Sequence, residues 1–199
     1  EEEKIDLVYT GYGSGYWVIE DSTLLESARE RYQLNKPFLF YPAATWPHKN
    51  HEKLLRALKI LIERYEFDGQ LVLTGIAMGS HNQVLALIEE LALSDHVKAL
   101  GYIPDQDLPL LYNLATLLVF PSLFEGFGIP LVEAMACGCP VICSNVTTMP
   151  EVVGEAGALF DPNSVEEIAK TVSSVWYDDQ RRLQMSRAGL QRSVLFDWD

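Results

Sequence analysis

The chain of 199 residues carries 28 acidic against 15 basic side chains, a formal net charge of −13. Hydrophobic residues make up 48% and charged residues 22%, which excludes a disordered chain, and no stretch approaches the roughly 20 apolar residues that span a bilayer. The acidity argues against nucleic acid or an anionic membrane surface as a partner, since phosphate would have to approach against that charge.

Residues 1–36 read as a linker strand and helix leading into a domain that fills 37–199. Within the leader, residues 6–10 read as a strand and Leu24 to Leu34 as a helix. Glu1 to Lys4 do not make a signal peptide. Pro37 precedes the apolar run Phe38 to Pro42, a strand start. Asn50 is placed to cap a helix from His51 to Tyr65, whose Leu54, Leu55, Leu58, Leu61 and Ile62 keep the helical period. Strands are expected at Leu71–Thr74, Val97–Leu100, Leu117–Phe120, Pro140–Cys143 and Ala158–Phe160. Helices are expected at Asn82–Leu93, Asp105–Leu114, Pro130–Cys137, Val165–Trp176 and Asp178–Val194. Strands that are apolar throughout, each followed by a helix, describe a parallel sheet covered on both faces. The fold class is therefore α/β: one doubly wound, Rossmann-like domain with about six parallel strands. Its ligand loops should follow residues 42, 74, 100, 120 and 143, at the carboxyl ends of the strands.

Cys137, Cys139 and Cys143 lack the paired arms of a zinc site and read as small buried hydrophobes. An odd set of free thiols suits a reducing compartment, so a cytoplasmic location is expected. The chain stops at Phe196-Asp197-Trp198-Asp199 without a polar tail, which reads as a cut within a longer protein.

Chemistry concentrates after the strand Leu117–Phe120, in Pro121-Ser122-Leu123-Phe124-Glu125-Gly126-Phe127-Gly128-Ile129-Pro130-Leu131-Val132-Glu133. Gly126 and Gly128 allow close backbone approach and unusual dihedrals. Pro130 suits a first helical turn. The unpaired N–H groups of that turn then face the glycines, an anion site. Glu125 before the helix and Glu133 about one turn inside it offer carboxylates to hydroxyls on either side of a phosphate, the layout of a nucleotide sugar. No Lys or Arg occurs from Ala99 to Ala169, so a cation must come from elsewhere. Lys49, after Trp46-Pro47-His48, is on a loop at the same sheet edge; the plainer alternative is a solvated residue at a helix start. Trp46 reads equally as a ligand-stacking aromatic or as a structural one ahead of Pro47. Asp105-Gln106-Asp107 imitates a metal motif, but a charged helix start explains it better. Gly75 and Gly79 lack the order of a dinucleotide fingerprint. His81 and His96 stand alone and read as surface residues.

EGFGIPLVE, with its glutamates at 125 and 133, resembles the E-x7-E motif of retaining glycosyltransferases of the glycogen-synthase-like, group 1 type. WPHKN (46–50), LVLTG (71–75), LGYIPDQDLPLLYNLA (100–115), VFPS (119–122), EAMACGCPVICSN (133–145) and PEVVGEAG (150–157) are similar to that family in order and spacing. The likeness runs from about residue 37 to 176. It implies a GT-B architecture of two facing Rossmann-like domains, of which this chain resembles the carboxyl-terminal, donor-binding one. It also implies transfer of a hexose from an NDP-sugar, GDP- or UDP-linked, without a metal or other cofactor, to a glycan or other hydroxyl acceptor held by an absent amino-terminal domain. The domain alone is then expected to be inactive. A full-length enzyme of this type is compatible with peripheral membrane association.

Carried over by position, Glu125 contacts donor-sugar hydroxyls and Lys49 the diphosphate, the two catalytic assignments. Gly126, Phe127 and Gly128 present amides, Glu133 binds the ribose, Gly101, Tyr102 and Ile103 meet the base, and Asn50 belongs to the same donor set. Many members carry an Arg five residues before the Lys; here that position is Ala44, which leaves a weaker cation pair. The WPHKN variant points to mannose as the sugar. A non-catalytic Rossmann-like interaction module and a sugar-nucleotide epimerase relative are the competing readings.

Overall fold

The computed structural model describes residues 9–197. Six strands among them form one all-parallel sheet in the order β3-β2-β1-β4-β5-β6. They are β1 (Phe38–Pro42), β2 (Gln70–Thr74), β3 (Val97–Gly101), β4 (Leu117–Phe120), β5 (Val141–Ser144) and β6 (Gly157–Phe160). Every residue of β4 and β5, and all but the last of β1, is buried. That is why these strands are apolar without alternation: both faces are covered. Each fully buried Phe or Leu contributes roughly 1.5–3 kcal/mol, and Phe38, Phe40, Leu118 and Phe120 are such residues.

The helices are α1 (Ser22–Arg31), α2 (His51–Tyr65), α3 (His81–Glu90), α4 (Leu108–Leu114), α5 (Ile129–Ala136), α6 (Met149–Val153), α7 (Val165–Trp176) and α8 (Asp179–Ser193). α2 packs against α3 and α7, and α5 against α4 and α8. Right-handed crossovers place these two groups on opposite faces of the sheet. The chain winds outward from β1 to β3 and then, from β4, outward the other way. Loops after β1 and β4 therefore part at the switch point, where doubly wound sheets bind ligands.

Helix ends follow local chemistry. Asp21 accepts from the N–H groups of Thr23 and Leu24 at 2.9 and 3.2 Å, so α1 starts two residues earlier than its apolar pattern suggested. Asp178, expected as the first residue of the last helix, instead caps α8 from outside it, accepting from the Arg181 N–H. Ala92 takes a left-handed φ of 53° just past α3, which stops short of Leu93. The five-residue α6 has no counterpart in the sequence reading, because so short a helix carries no readable period. The expected strand at 6–10 falls partly outside the described residues; Tyr9 and Thr10 are not in a strand. Instead Tyr12 bridges to Asp197, and its N–H donates to the Phe196 carbonyl at 3.2 Å. The three cysteines are free and buried, and burial raises all three thiols, Cys139 and Cys143 to about 12. Asp107 is buried and receives Arg31 at 2.9 Å as well as the Tyr32 hydroxyl. His81 and His96 are half-buried rather than on the open surface. Among the described residues no helix is long and apolar enough to cross a membrane.

Candidate functional site

The loops after β1 and β4 are stitched together at the switch point. The buried Tyr41, at the end of β1, donates its hydroxyl to the Lys49 carbonyl at 2.7 Å and lies 3.3 Å from Ser122 Oγ. Burial pushes that phenol well above its ordinary range, so it stays protonated and keeps its role as donor. Leu123 N–H donates to the His48 carbonyl at 2.8 Å. The Asn50 amide donates to the carbonyls of Pro121 and Pro162 at 3.0 and 2.9 Å. Asn50 precedes α2 in a left-handed conformation, φ 58°, and makes no side-chain cap. Its expected capping role is replaced by a clamp between three loops.

These bonds deliver Lys49 to Glu125. Lys49 Nζ and Glu125 Oε1 are 2.6 Å apart, with side-chain exposures of 17% and 13%. The ammonium also lies 5.5 Å from the centre of the Phe120 ring, a cation–π contact. An ammonium has three donors, so one carboxylate oxygen leaves two for other acceptors.

Glu125 opens a run of free amides. Its own N–H reaches Thr147 Oγ1 at 3.3 Å, whereas those of Gly126, Phe127, Gly128 and Ile129 find no acceptor among the described residues. Thr148 turns the loop's carbonyls away, donating to those of Glu125 and Phe127 at 3.3 and 3.1 Å. Gly128 has φ 95°, the left-handed region that favours glycine. Gly126 has no such need, and a Cβ there would meet nothing within 4 Å. Its glycine leaves room for something outside the protein. Gly126→Ala is therefore expected to keep the melting temperature of the parent while weakening an anion at these amides about tenfold. A thermal melt beside a calorimetric titration checks both halves.

Glu133, on α5, faces α4. Tyr112, wholly buried, donates its hydroxyl to Glu133 Oε2 at 2.8 Å, and Tyr16 bonds the same carboxylate. Desolvation raises the Glu133 carboxyl above the usual range, against the lowering effect of those two bonds; Asp105 raises it further. Asp105 also lines a pocket of about 280 Å³ between the ends of β1, β2 and β3, with Ala44, Gly75, Tyr102 and Ile103. Ile103 is buried and Tyr102 is 66% exposed. Gly75 lets the β2 loop close on β1: a Cβ there would come within 2.6 Å of the Ala43 backbone.

The structure thus brings together Lys49, Glu125 and the Gly126–Phe127–Gly128 amides. It sets Tyr102 and Ile103 beside a separate pocket, Glu133 between α5 and α4 under two tyrosines, and Asn50 inside the scaffold. Tyr41, Thr147, Thr148, Tyr112 and Tyr16 were not singled out in the sequence. Thr147-Thr148, in the short loop between β5 and Pro150, is the one signal among them that the chain order carried.

The family profile described as "Glycosyl transferases group 1" matches residues 25–192. The O-antigen chain mannosyltransferase B of Escherichia coli is 39% identical over 171 residues, 85% of this chain and 45% of that protein. A sucrose-phosphate synthase from Thermosynechococcus elongatus superposes with a TM-score of 0.82 at 27% identity, over 95% of this chain and 48% of that one. Anabaena Alr3699/HepE superposes with a TM-score of 0.84 at 24% identity, over 96% of this chain and 53% of that one, and so shares the fold. The chain spans about half the length of each of these proteins.

Proposed function

The chain belongs to the glycosyl transferases group 1 family, and from that premise we propose that it is the donor-binding domain of a retaining hexosyltransferase whose donor is a nucleotide sugar. The observation that carries this reading is the Lys49–Glu125 pair set beside four unpartnered amides at the switch between β1 and β4. A diphosphate has the charge for the amides and the ammonium. Glu125 is then left for hydroxyls of the transferred sugar. The pocket of Tyr102 and Ile103 takes the base, and Glu133 accepts from the ribose.

The proposed chemistry is electrostatic. Charge develops on the departing diphosphate, and preorganised N–H groups and Lys49 meet it without a metal. The acceptor hydroxyl attacks the anomeric carbon from the face the diphosphate leaves; the new C–O bond forms as the bond to the diphosphate breaks, and the hydroxyl proton passes to the departing phosphate oxygen. The acceptor site belongs to a second domain, so transfer is a property of the longer protein. Mannose is the proposed sugar, supported by the E. coli mannosyltransferase and by the WPHKN loop.

Calorimetric titration of the chain with GDP, UDP and ADP, free and mannosylated, tests the reading. Binding is expected for one base over the others, unaffected by a chelator. No binding at millimolar nucleotide would overturn the assignment, and loss of binding in chelator would overturn its metal-free part.

Glu133 adds a pH signature. Ribose hydroxyls donate to an ionised carboxylate, and the folded-state pKa is raised. Affinity is therefore full above that raised pKa and falls as the pH drops through it, beginning above the usual carboxylate range. Glu133→Gln should bind more weakly at neutral pH and show no such acid limb. A parent protein whose affinity stays flat on acidification would remove Glu133 from the ribose site.

A further inference from the structure

A second concavity lies apart from the amides of the proposed donor site. A cavity of about 600 Å³ opens between α2 and α3. Trp46, His51, Glu52, Gln83, Glu90 and Leu123 line it. Leu123 is two residues before Glu125, and its N–H holds the His48 carbonyl at 2.8 Å. The groove therefore touches the point where the two donor loops are joined.

Its chemistry is specific. Trp46 is 43% exposed, an indole at the rim. Aromatic faces of this kind cover the apolar C–H face of a pyranose. Glu52, Gln83 and Glu90 are exposed planar groups suited to paired hydroxyls. The side chains of Gln83 and Glu90 hold no hydrogen bond among the described residues, whereas Glu52 bonds Arg56 at 3.0 Å. His51, on the groove wall, is only 3% exposed, with its ring nitrogens sealed from solvent and the Ala43 backbone beside them. Burial pushes its pKa down to about 4, so at neutral pH the ring is uncharged, one nitrogen a donor and the other an acceptor. Two carboxylates, Glu52 and Glu90, are matched by two cations, Lys53 and Arg56, all on the groove wall. This balance does not select an anion. It suits a neutral ligand rich in hydroxyls.

We propose that the groove between α2 and α3 binds a neutral oligosaccharide, the already-built part of the acceptor glycan, beside the donor site. Its description as acceptor rests on the transferase reading; its capacity to hold sugar does not. Stacking on Trp46 would anchor one residue, and Gln83 and Glu90 would bond its neighbours. A groove on the donor domain would let the enzyme grip a growing chain while the terminal hydroxyl reaches the anomeric carbon.

The test is saturation-transfer NMR and calorimetry on this chain with linear α-mannotetraose, with maltotetraose as comparison, each in the presence and absence of saturating nucleotide. The tetrasaccharide is expected to bind without displacing nucleotide. Trp46→Ala and Gln83→Ala should each weaken it about fivefold or more, as truncation of an anchor does, and in Gln83→Ala nucleotide affinity should be unchanged. Gln83 is exposed on a helix, so its truncation leaves folding intact, which a melt verifies. Displacement of the sugar by nucleotide, or its loss in Lys49→Met, would place it in the donor site and overturn the groove. Nucleotide binding without sugar binding overturns the groove alone. Sugar binding in the groove without nucleotide binding overturns the donor reading alone.

Discussion

Lys49→Met should weaken nucleoside diphosphate binding by about two orders of magnitude, while Glu125→Gln should tighten it. Both results follow from one contact. In the free protein the ammonium is 2.6 Å from the Glu125 carboxylate, and both side chains are largely shielded. An arriving diphosphate competes with Glu125 for Lys49 and is repelled by it. Removing the ammonium loses charge-assisted hydrogen bonds that contribute about 1.5–3 kcal/mol each. It also leaves Glu125 facing the ligand unpaired. Removing the carboxylate's charge frees Lys49 for the ligand. For the nucleotide sugar the order changes, since Glu125→Gln gives up the acceptor for the sugar's hydroxyls. The ratio of NDP-sugar to NDP affinity should therefore fall in Glu125→Gln and stay near the parent value in Lys49→Met. Calorimetry on the four proteins of the double-mutant cycle supplies the numbers. Raised salt should blunt the Lys49 effect only in part, because shielded pairs are screened less than exposed ones. Glu125→Gln binding nucleoside diphosphate as weakly as Lys49→Met would mean that the carboxylate positions the lysine and meets no sugar.

Much of this site was readable before any coordinates. Strands such as Phe38–Pro42 and Leu117–Phe120 announce themselves because a residue buried on both faces has no polar alternative, and the switch point follows from their winding. EGFGIP marks its own loop through glycine and proline chemistry. What stayed hidden is what tertiary structure alone creates. Tyr41 and Ser122 meet across 81 positions of sequence. Tyr112 and Glu133 are drawn together by the packing of α4 on α5, so the raised carboxyl has no local signal. Gly126 and Gly128 look alike in sequence, yet only Gly128 needs its left-handed backbone. The groove between α2 and α3 is a property of two helices that the sequence predicted singly and could not place side by side. The sequence makes His51 the first residue of a helix, and its burial against the Tyr41 ring, 4.9 Å away, exists only in the packed protein.

Asn50 shows the same division most sharply, and it carries the largest effect expected on stability. Its type and place, just before α2 and next to Lys49, suggested a cap and a donor ligand. In the fold both amide hydrogens go to buried carbonyls, Pro121 before the glycine loop and Pro162 beyond β6. The backbone is left-handed there, which Asn tolerates better than most residues. Asn50→Ala leaves two carbonyls without donors and strains the backbone, a loss of about 3 kcal/mol or more, which for a domain of this size is roughly 6–12 °C in melting temperature. Asn50→Asp separates the two causes. It keeps the shape and the tolerance for positive φ but turns an acceptor-only carboxylate towards two carbonyl oxygens. It should therefore be at least as damaging as Ala. Nucleotide affinity should fall in both variants only as far as the loops carrying Lys49 and Glu125 come apart, and low temperature should recover it. A stable Asn50→Asp protein, or one that lost nucleotide without losing stability, would return Asn50 to the ligand and take the clamp away.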